Sequence, residues 1–421
     1  MSATPKPKVV IVGAGFAGIE TLRRLHALLP QGFRITLINP TNYFLFTPLL
    51  HEVATGGLFP EDVVVPLRPL VKKLGAEFVG GIVKGVDLKK KIITTDQIKI
   101  DYDYLVLAPG STTNFYDTLG AAQYCLTLKS LNDAIGIKNR ILRSFEKATL
   151  EPGDLTFIIA GGGATGVELA AELSDFIADA IKNYYPPAEI LAAKIILIQK
   201  DNHLLPQFSD ELRSKCLKIL AAKGIQVRLN EGIAEVRADG VRLADGEFIL
   251  SKTVIWTAGV KPQTIHFQPE TELERDRLVV DKFLRLPSHP EVFVLGDAAA
   301  FKNNTGEPLP MLAQVAHKAG KNVAENLRRA VAGELPKPFA YHHSGSLISL
   351  GSWFAAGELG PIHVSGKFMW WVWRTVYLSK MPTWSKKFQI ALDWTIDLFL
   401  PRDTSILPCE VSSLKNPKKK R

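Results

Sequence analysis

The chain has 421 residues and 46% of them are hydrophobic, so it is long enough to bury a large core and to form two or three domains. Its three cysteines, Cys125, Cys216 and Cys409, include no closely spaced pair, which excludes a disulfide framework and a dithiol redox centre and fits a reducing compartment. The net charge of +9 is concentrated in residues 361–421, where eleven Lys and Arg stand against four Asp and Glu, a local net charge of +7.

The two ends of the chain carry different signals. No apolar segment precedes the first predicted strand, so the N-terminus does not support a cleaved secretory signal and we expect synthesis and folding in the cytoplasm. A basic C-terminal region is compatible with nucleic acid, but no nucleic-acid-binding motif is present and the basic region is also rich in aromatic residues. We therefore expect a membrane surface as its partner and no nucleic acid.

A first glycine loop follows the first predicted strand. The β-branched run Lys8–Val12 predicts a buried parallel strand, and a helix over residues 19–29 and a second strand over residues 34–38 follow the loop. In such a unit the first glycine permits the tight turn, the second lets backbone N–H groups approach a pyrophosphate, and the third lets helix and strand pack closely. The loop that we predict to bind a dinucleotide consists of Gly13, Ala14, Gly15, Phe16, Ala17 and Gly18.

The second strand ends at Asn39, where this fold usually carries an acidic residue that holds the adenosine ribose. An amide still hydrogen-bonds a hydroxyl group, so we predict that Asn39 takes part in binding. The negative charge, however, is missing.

A second glycine loop repeats the pattern. Residues 155–160 read as a strand and residues 167–179 as a helix, with the loop between them. Two such loops imply two dinucleotides, FAD and NAD(P)H, because a hydride donor and its bound acceptor must meet. The predicted contacts in this loop are Gly161, Gly163, Thr165 and Gly166.

The strand after the second loop ends at Gln199, and Lys200 follows. A neutral side chain at this position removes the repulsion that a carboxylate exerts on a 2′-phosphate. We therefore predict that NADPH is tolerated beside NADH. The alternative is that Gln199 hydrogen-bonds the ribose of plain NADH.

Two acidic residues lie just beyond the second loop. Glu168 and Glu172 are four residues apart and share one face of the predicted helix. Ordinary solvated helix polarity is one interpretation of such a pair. Its position directly after a glycine loop favours a functional role, above all for Glu168.

Three further segments each read as a strand that runs into a turn containing glycine, at residues 104–110, 253–259 and 292–298. With the two loops, they resemble the two-dinucleotide-binding flavoprotein superfamily over residues 8–330. That resemblance implies that Asp297 hydrogen-bonds the ribityl chain of FAD. It also implies cofactor contacts at Ala108, Gly110, Ala258, Gly259 and Gly296.

A finer resemblance is to the type II NADH:quinone oxidoreductases, or alternative NADH dehydrogenases. Residues 46–56 look like the family segment that lies along the flavin, which implies contacts at Thr47 and Pro48. Residues 311–318 resemble the family's AQxAxQ quinone motif, with Ala313 and Gln314 in place and Lys318 where the second glutamine is usual. A lysine there either hydrogen-bonds a quinone oxygen or points to solvent.

The same superfamily contains disulfide reductases and sulfide:quinone oxidoreductases. Both depend on placed cysteines that this sequence lacks. A thiol-independent electron path from flavin to a diffusible acceptor remains.

The C-terminal region is aromatic as well as basic. Six of the seven tryptophans fall after residue 350, and residues 366–378 and 388–400 predict two helices that are too short to span about 30 Å of hydrocarbon. We expect the segment to lie on a membrane, with residues 415–421 adding attraction to anionic lipid. A homodimer interface and a cover over the core are the alternatives. The basic side chains expected to face the headgroups are Lys367, Arg374, Lys380, Lys386, Lys387 and Arg402.

These observations predict an α/β fold with two Rossmann-like dinucleotide-binding domains, for FAD and NAD(P)H, and a C-terminal amphipathic helical membrane-association segment. The predicted bounds are 1–115 and 278–345 for the FAD domain, 116–277 for the nucleotide domain, and 346–421 for the membrane module. Glu168, Glu172, Gln314 and Lys318 are the predicted catalytic residues, and no metal is expected.

The predicted function is hydride transfer from NAD(P)H to FAD, then transfer of two electrons to a membrane quinone of the ubiquinone, menaquinone or plastoquinone type, without proton pumping. We expect a peripheral protein on the cytoplasmic face of the inner membrane, with homodimerisation left open. Two alternatives stand beside it. One is a soluble NAD(P)H-dependent reductase of a ferredoxin, a rubredoxin or another acceptor, and the other is a non-enzymatic nucleotide-sensing flavoprotein.

Overall fold

The computed structural model describes residues 6–29, 32–151, 155–179, 181–303, 306–360 and 362–408. Cys409 and the basic tail at residues 415–421 lie outside the described residues. The chain divides into two compact units, each built from three separate stretches. The first unit comprises the described residues of Met1–Phe44, Val65–Thr112 and Val260–His343, and the second those of Leu45–Val64, Thr113–Gly259 and Ser344–Arg421.

The described residues contain eleven α-helices, and short 3-10 turns at Thr47–Leu49, Ile181–Asn183 and Gly296–Ala298. In chain order the helices are α1 (Phe16–Leu28), α2 (Leu50–Val53), α3 (Leu67–Lys73), α4 (Ala121–Tyr124), α5 (Leu131–Ala148), α6 (Ala164–Asp179), α7 (Pro187–Ala192), α8 (Asp210–Ala222), α9 (Ala313–Val331), α10 (Lys367–Lys380) and α11 (Trp384–Ile396).

The strands of the first half of the chain are β1 (Lys8–Val12), β2 (Arg34–Asn39), β3 (Tyr43–Leu45), β4 (Val64–Pro66), β5 (Glu77–Gly80), β6 (Val83–Asp87), β7 (Ile92–Thr95), β8 (Lys99–Asp101), β9 (Tyr104–Leu107), β10 (Ser111–Thr113), β11 (Leu126–Thr127), β12 (Thr156–Ala160) and β13 (Lys194–Gln199). Those of the second half are β14 (Ile225–Leu229), β15 (Ile233–Arg237), β16 (Gly240–Leu243), β17 (Phe248–Leu250), β18 (Thr253–Trp256), β19 (Val260–Pro262), β20 (His266–Gln268), β21 (Leu273–Glu274), β22 (Arg277–Val279), β23 (Arg285–Leu286), β24 (His289–Val294), β25 (Ala299–Ala300), β26 (Ser346–Ser349), β27 (Ala355–Leu359) and β28 (Ile362–Gly366).

The first unit is built on a six-stranded sheet in the order β23-β24-β9-β1-β2-β5. Its strands are parallel except for the pair β23 and β24. Residues 9–12 of β1 are all buried, as expected of a central parallel strand that is covered on both faces. One face packs against the small sheet β20-β6-β7-β8, with Val10, Leu105 and Ile93 in the shared core.

The second unit is built on a five-stranded parallel sheet in the order β11-β18-β12-β13-β14. A three-stranded antiparallel sheet, β15 to β17, shares its core through Val236 and Val241, which pack with Ile158 and Trp256. Helix α5 begins with a capping box, in which Ser130 and Asp133 each accept a hydrogen bond from the backbone N–H of the other. The α/β fold with two Rossmann-like sheets is thus confirmed.

The C-terminal helices begin and end at residues that differ from the sequence expectation. Helix α10 runs to Lys380, two residues beyond the predicted end at residue 378, and α11 begins at Trp384, four residues before the predicted start, because Pro382 already breaks the preceding segment. The antiparallel sheet β26-β27-β28 was not predicted. Within the described residues, no helix combines the length and the apolar character that crossing a bilayer requires.

Candidate functional site

The first glycine loop joins three strand ends of the first unit. The N–H of Gly13 donates to the carbonyl of Ile38 at 2.8 Å, and the N–H of Ala108 donates to the carbonyl of Val12 at 2.8 Å. Gly13 has φ +95°, and a Cβ at this position would lie 2.1 Å from the Ala108 carbonyl oxygen. Only glycine fits where the loop passes the end of β9.

The second glycine loop repeats this geometry in the second unit. The N–H of Gly161 donates to the carbonyl of Ile198 at 2.8 Å, and the N–H of Thr257 donates to the carbonyl of Ala160 at 2.8 Å. Gly161 has φ +109°, and a Cβ there would lie 2.4 Å from the Cα of Ala258. The predicted contact residue Ala258 therefore borders the second loop just as Ala108 borders the first.

Both loops border open space at the start of a long helix. A Cβ at Gly15 or at Gly163 would meet no atom within 4 Å, and the same holds for Gly110. Gly15, Ala164 and Thr165 are exposed, whereas Gly18 and Gly166 are buried within the first turns of α1 and α6. Backbone N–H groups of the first helical turn lack intrahelical partners and attract phosphate, so these two cradles fit the pyrophosphates of FAD and NADH.

The two amide side chains at the strand ends are both engaged by their own loops. Asn39 Oδ1 accepts from the N–H of Ala14 at 2.9 Å, and its Nδ2 donates to the carbonyl and the hydroxyl of Thr41, each at 2.9 Å. Gln199 Oε1 accepts from the N–H of Gly162 at 2.7 Å, and its Nε2 donates to Asp201 Oδ2 at 2.7 Å. The carboxylate that is missing at position 199 is therefore supplied two residues later.

Asp297 lies in the 3-10 turn after β24, where the resemblance places a ribityl contact. Its Oδ2 accepts a hydrogen bond from Ser111 Oγ at 2.6 Å. Gly296 precedes it with φ +64°. Ser111 thus holds one oxygen of the Asp297 carboxylate, and no sequence motif had pointed to this serine.

The acidic residues of α6 lie in a buried cluster of the second unit. The side chain of Glu168 is 8% exposed, its Oε1 accepts from the N–H of Ser349 at 3.3 Å, and its Oε2 lies 3.8 Å from His51 Nδ1. Burial raises the pKa of Glu168 well above its ordinary value, and the carboxyls of Glu172 and Glu52 raise it further. The surroundings of Glu168 therefore favour its protonated form.

Glu172 is equally buried, but its pKa shifts in the opposite direction. Its Oε2 accepts a hydrogen bond from Arg402 Nη2 at 2.7 Å. Burial acts to raise the pKa of Glu172, but the charge and hydrogen bond of Arg402, together with the charges of His51 and Lys223, outweigh it, so the pKa lies below its ordinary value. The pKa values of two carboxyls on one face of α6 thus shift in opposite directions, and only Glu172 accepts a hydrogen bond from an arginine.

Two neighbours on α2 complete the cluster. Burial, followed by the charge of Glu172, raises the pKa of Glu52 to about 8, and Trp394 Nε1 donates to Glu52 Oε2 at 2.7 Å. Burial lowers the pKa of His51 to about 4, so the imidazole is neutral at pH 7. The turn Thr47–Leu49, with the predicted contacts Thr47 and Pro48, leads directly into α2.

Sequence reasoning placed Glu52 in the right segment but gave it no role, and it placed Arg402 and Arg374 towards membrane headgroups. That expectation was wrong for both arginines. Arg402 is bound to Glu172, and the Arg374 guanidinium lies 3.6 Å above the Trp370 ring centroid and donates to the Trp394 carbonyl. Buried carboxylates and aromatic faces compete successfully with solvent for a guanidinium.

The predicted acceptor-side residues lie at the start of α9 in the first unit. Gln314 Nε2 lies 3.2 Å from His343 Nδ1, and Lys318 Nζ donates to the His342 carbonyl and sits 5.3 Å from the Tyr341 ring centroid. The lysine is thus engaged with a neighbouring backbone carbonyl, and its contact with a quinone stays a prediction. Ala313, the first residue of α9, is exposed.

The C-terminal aromatic residues divide into two groups. Trp370, Trp373 and Trp394 are at least 96% buried and belong to the core. Tyr377 stacks on Trp373 at a centroid distance of 4.5 Å and lies with them. What we call the aromatic surface consists of four strongly exposed rings, Phe368 (75%), Trp384 (84%), Phe388 (71%) and Phe399 (81%).

Neither described cysteine has the character of a redox thiol. Cys216 is buried and Cys125 is partly buried, and both are free. Burial raises the pKa of each thiol to about 12, so the reactive thiolate is suppressed.

Comparison with known proteins connects this geometry to a family. The model described as pyridine nucleotide-disulphide oxidoreductase matches residues 7–320, and the model described as the NDH2 C-terminal domain matches residues 343–403. A type II NADH:quinone oxidoreductase of Staphylococcus aureus is 30% identical over 374 residues, covering 87% of this chain and 92% of that protein. The corresponding protein of Mycobacterium tuberculosis is 28% identical over 418 residues, covering 94% and 89%.

Among solved structures, that of NDH2 from Plasmodium falciparum in complex with NADH has a TM-score of 0.89 at 21% identity and covers 95% of this chain and 100% of its own. That likeness shows the fold. The matched family model spans well over half of the chain, and the Staphylococcus aureus relative is matched over nearly its full length. The chain belongs to the pyridine nucleotide-disulphide oxidoreductase family and, within it, to the type II NADH:quinone oxidoreductases.

Proposed function

We propose that this protein oxidises NADH and reduces a membrane quinone, using FAD as the carrier between them, without pumping protons. The observation that carries the proposal is the pair of matched glycine loops, each with a glycine that no other residue can replace and open space at a helix N-terminus. Family membership supports the same reaction, since the relatives are named for NADH as donor and quinone as acceptor.

FAD, when bound, supplies the two-electron chemistry that accepts hydride and passes electrons on. The residues of the chain supply position and charge. In this proposal Gly13, Gly15 and Gly18, with Phe16 and Ala17, hold the FAD pyrophosphate at the start of α1. Asn39 borders the ribose, while Ala108, Gly110, Gly296 and Asp297 hold the chain between the phosphates and the ring.

The second loop takes the nicotinamide nucleotide. Gly161, Gly163, Thr165 and Gly166 hold its phosphates at the start of α6, and Ala258 and Gly259 border it from the end of β18. The backbone just after β13 is held by the residues that follow β14. The N–H of Glu231 donates to the Gln199 carbonyl and that of Asn230 to the Asp201 carbonyl, each at 3.0 Å.

Gln199 and Asp201 bear on nucleotide choice. The sequence alone predicts tolerance of NADPH, because Gln199 is neutral. The structure adds the Asp201 carboxylate at 2.7 Å from the Gln199 amide, which would repel a 2′-phosphate. In this proposal NADH is the preferred donor and NADPH a weaker one.

Quinone reduction consumes two protons, and the buried cluster can hold and move them. At pH 7 Glu52, with a pKa of about 8, keeps a proton on a carboxyl oxygen, and burial favours the protonated form of Glu168 as well, while the lowered pKa of Glu172 leaves it ionised and able to accept a proton. An ionised acid beside a protonated one can pass a proton on, and the carboxylate oxygens of Glu52 and Glu172 lie within 4.8 Å of each other. Glu168 next to the nicotinamide edge, and Gln314, Ala313 and Lys318 next to the quinone, remain predicted positions.

The aromatic surface supports attachment to a membrane. Its exposed rings lie on and around α10 and α11, with Lys367, Lys380, Lys386 and Lys387 on the same two helices. Aromatic rings at the headgroup level with lysines beside them favour peripheral binding. We propose that the protein binds the cytoplasmic face of the inner membrane and works in a respiratory chain, with homodimerisation left open. We also keep the proposed domain bounds, which are 1–115 with 278–345 for the FAD domain, 116–277 for the nucleotide domain and 346–421 for the membrane module.

The acceptor is tested by anaerobic steady-state turnover with NADH and either a soluble quinone analogue or a ferredoxin. We expect one quinol formed for each NADH consumed, and no reduction of the ferredoxin. Turnover with ferredoxin alone would make the protein a soluble reductase. Binding of NADH without reduction of either acceptor would make it a nucleotide sensor.

Membrane attachment is tested by flotation with anionic liposomes. Removing the whole C-terminal region would also remove the buried Trp373 and Trp394, so the full-length chain with Trp384→Ser, Phe388→Ser and Phe399→Ser is the better variant. We expect it to lose flotation, while Leu335→Ser, which removes an apolar side chain that is 85% exposed in the first unit, leaves flotation unchanged. Equal flotation of both variants and the wild type would refute this surface.

A further inference from the structure

The stretch of chain after α11 enters the acidic cluster. Arg402 Nη2 donates to Glu172 Oε2 at 2.7 Å and to Ser352 Oγ at 3.2 Å. Its Nη1 lies 3.4 Å from Thr55 Oγ1 and 3.5 Å from the Glu172 carbonyl oxygen. The side chain is 13% exposed, so this ion pair is shielded from solvent.

Three further contacts hold this stretch against the second unit. Asp403 forms an ion pair with the buried Lys138 of α5. The Asn139 side chain bonds the backbone of Leu407 twice, donating from Nδ2 to its carbonyl at 2.7 Å and accepting from its N–H at 3.0 Å. The Asp403 carbonyl also approaches Gly56 so closely that a Cβ there would lie 2.6 Å from it. Arg402 is therefore delivered by a fixed segment.

Several charged and titratable groups face Glu172, and they come from every element packed around it. Arg402 contributes the guanidinium in contact with its carboxylate. The remaining groups are His51 and Glu52 from α2, Glu168 and Asp175 from α6, Lys223 after α8, Arg374 from α10 and Asp397 after α11.

We propose that Arg402 is a positioning residue that keeps the Glu172 carboxylate ionised and in place during quinone reduction, so that residues 402–407 belong to the working site. The inference rests on the proposed function. It extends that function by giving the C-terminal stretch a part in proton transfer as well as in membrane attachment.

The physical reason is the desolvation of the cluster. One imidazole nitrogen of His51 and one carboxylate oxygen each of Glu52 and Glu172 lie within 4.8 Å of one another. An ionised carboxylate in such a place is costly unless a cation compensates it. Arg402 supplies that cation directly at Glu172, whereas the pKa values of Glu52 and Glu168 are raised by burial.

The direction of the pH effect follows. With Arg402 present, the pKa of Glu172 lies below its ordinary value despite burial. Without the guanidinium, burial dominates and the pKa rises, so Glu172 becomes protonated at a pH where the wild type keeps it ionised. Quinone-dependent turnover should then fail at the acid end first.

The experiment compares Arg402→Gln, Arg402→Lys and the wild type in pH profiles of quinone-dependent kcat. We expect Arg402→Gln to shift the acid limb to higher pH and to lose about tenfold or more of turnover at pH 6. Arg402→Lys keeps the charge and should retain most of the wild-type profile. Flavin reduction by NADH, measured separately, should be unchanged in both variants.

Arg237→Gln serves as the matched control, because it breaks an arginine–glutamate pair of 2.8 Å on the exposed surface of the same unit. It should reproduce the wild-type profile. If Arg402→Gln does not fold, Lys138→Gln, which cuts the Asp403 anchor and leaves Arg402 intact, should shift the limb in the same direction by a smaller amount.

An Arg402→Gln profile that superimposes on the wild type overturns the inference, and so does an unshifted Lys138→Gln profile if the former does not fold. The inference is also overturned if Arg402→Gln shifts the acid limb by the same amount in a protein that already carries Glu172→Gln, because the effect would then not pass through Glu172. Absence of quinone reduction in the wild type itself would instead refute the proposed function.

Discussion

The two glycine loops repeat one geometry in separate units. In each, the glycine N–H donates at 2.8 Å to the carbonyl of the next-to-last residue of the strand that follows the loop's helix. The end of a third strand approaches the glycine, and an amide side chain accepts a hydrogen bond from the loop backbone. The amides differ in what holds their nitrogen. Thr41 does so in the first loop with a hydroxyl and a carbonyl, and Asp201 does so in the second with a carboxylate.

That difference teaches how one backbone design serves two ligands. The turn, the helix N-terminus and the strand ends set the phosphate site in both loops, so they have to be alike. The groups around the amide at the end of the second strand can vary, and only the second loop has a carboxylate there, that of Asp201. The helices that follow also differ, since α6 carries Glu168 and Glu172 into a cluster with Glu52, whereas the one buried acid of α1 is Glu20.

The largest effect is expected from the matched substitutions Gly13→Val and Gly161→Val. Each brings a Cβ against backbone and strains a left-handed residue by about 1–3 kcal/mol. We expect Gly13→Val to lose FAD occupancy at least about tenfold. Gly161→Val should retain FAD but reduce it with NADH about a hundredfold more slowly. Absorbance of bound flavin and rapid-mixing reduction measure the two effects.

Controls for this pair separate strain from collision. Gly333 in the first unit and Gly246 in the second also have positive φ, but a Cβ at either would meet no atom within 4 Å. Valine at these positions should leave flavin content and reduction rate near wild type. If Gly161→Val loses flavin as completely as Gly13→Val, the assignment of one ligand to each loop is wrong.

A smaller effect is expected from Asp201→Asn, which makes the second loop resemble the first in charge. Loss of the carboxylate removes repulsion against a 2′-phosphate, so the ratio of kcat/KM for NADPH to that for NADH should rise about tenfold, which corresponds to about 1.4 kcal/mol. Asp239→Asn, an exposed acid elsewhere in the second unit, should leave the ratio unchanged. An unaltered ratio in Asp201→Asn would remove Asp201 from nucleotide choice.

The smallest effect concerns stability of the acidic cluster. The folded pKa of Glu52, about 8, lies above the ordinary value of 4.5, so the folded state holds a proton that the unfolded state has lost, and stability falls as pH rises across this window. Glu52→Gln cannot ionise, so this fall in stability with pH disappears. Its amide oxygen can still accept the hydrogen bond from Trp394 Nε1. We expect its Tm to exceed that of the wild type by about 2 °C or more at pH 9 and by little at pH 5. A Tm difference that does not depend on pH would contradict the buried protonated acid.

The fold and both loops were predictable because their signals are local: strand, glycines and helix follow one another in the chain. That Glu168 and Glu172 share one face of a helix after the second loop was predictable for the same reason, and their catalytic roles stay predictions. Arg402 and Asp201 were not, because their roles arise from contacts that a linear pattern does not contain. Arg402 meets Glu172 across 230 residues of chain, and the charge of Asp201 acts through a side chain two positions away.

The assignment of tryptophans shows the same limit. Their concentration after residue 350 correctly drew attention to the C-terminal region, but it could not tell the buried Trp373 from the exposed Trp384. Both lie on helices whose outward faces are decided by packing within the unit. Composition therefore located the aromatic surface without resolving it.

The most direct test of the account is an anaerobic double-mixing experiment on the full-length protein. Mixing with one equivalent of NADH should bleach the bound flavin, and a second mixing with a ubiquinone or menaquinone analogue should restore the oxidised flavin and yield one quinol. Flavin that NADH bleaches but quinone does not reoxidise would contradict the account, because the electrons would then require another acceptor.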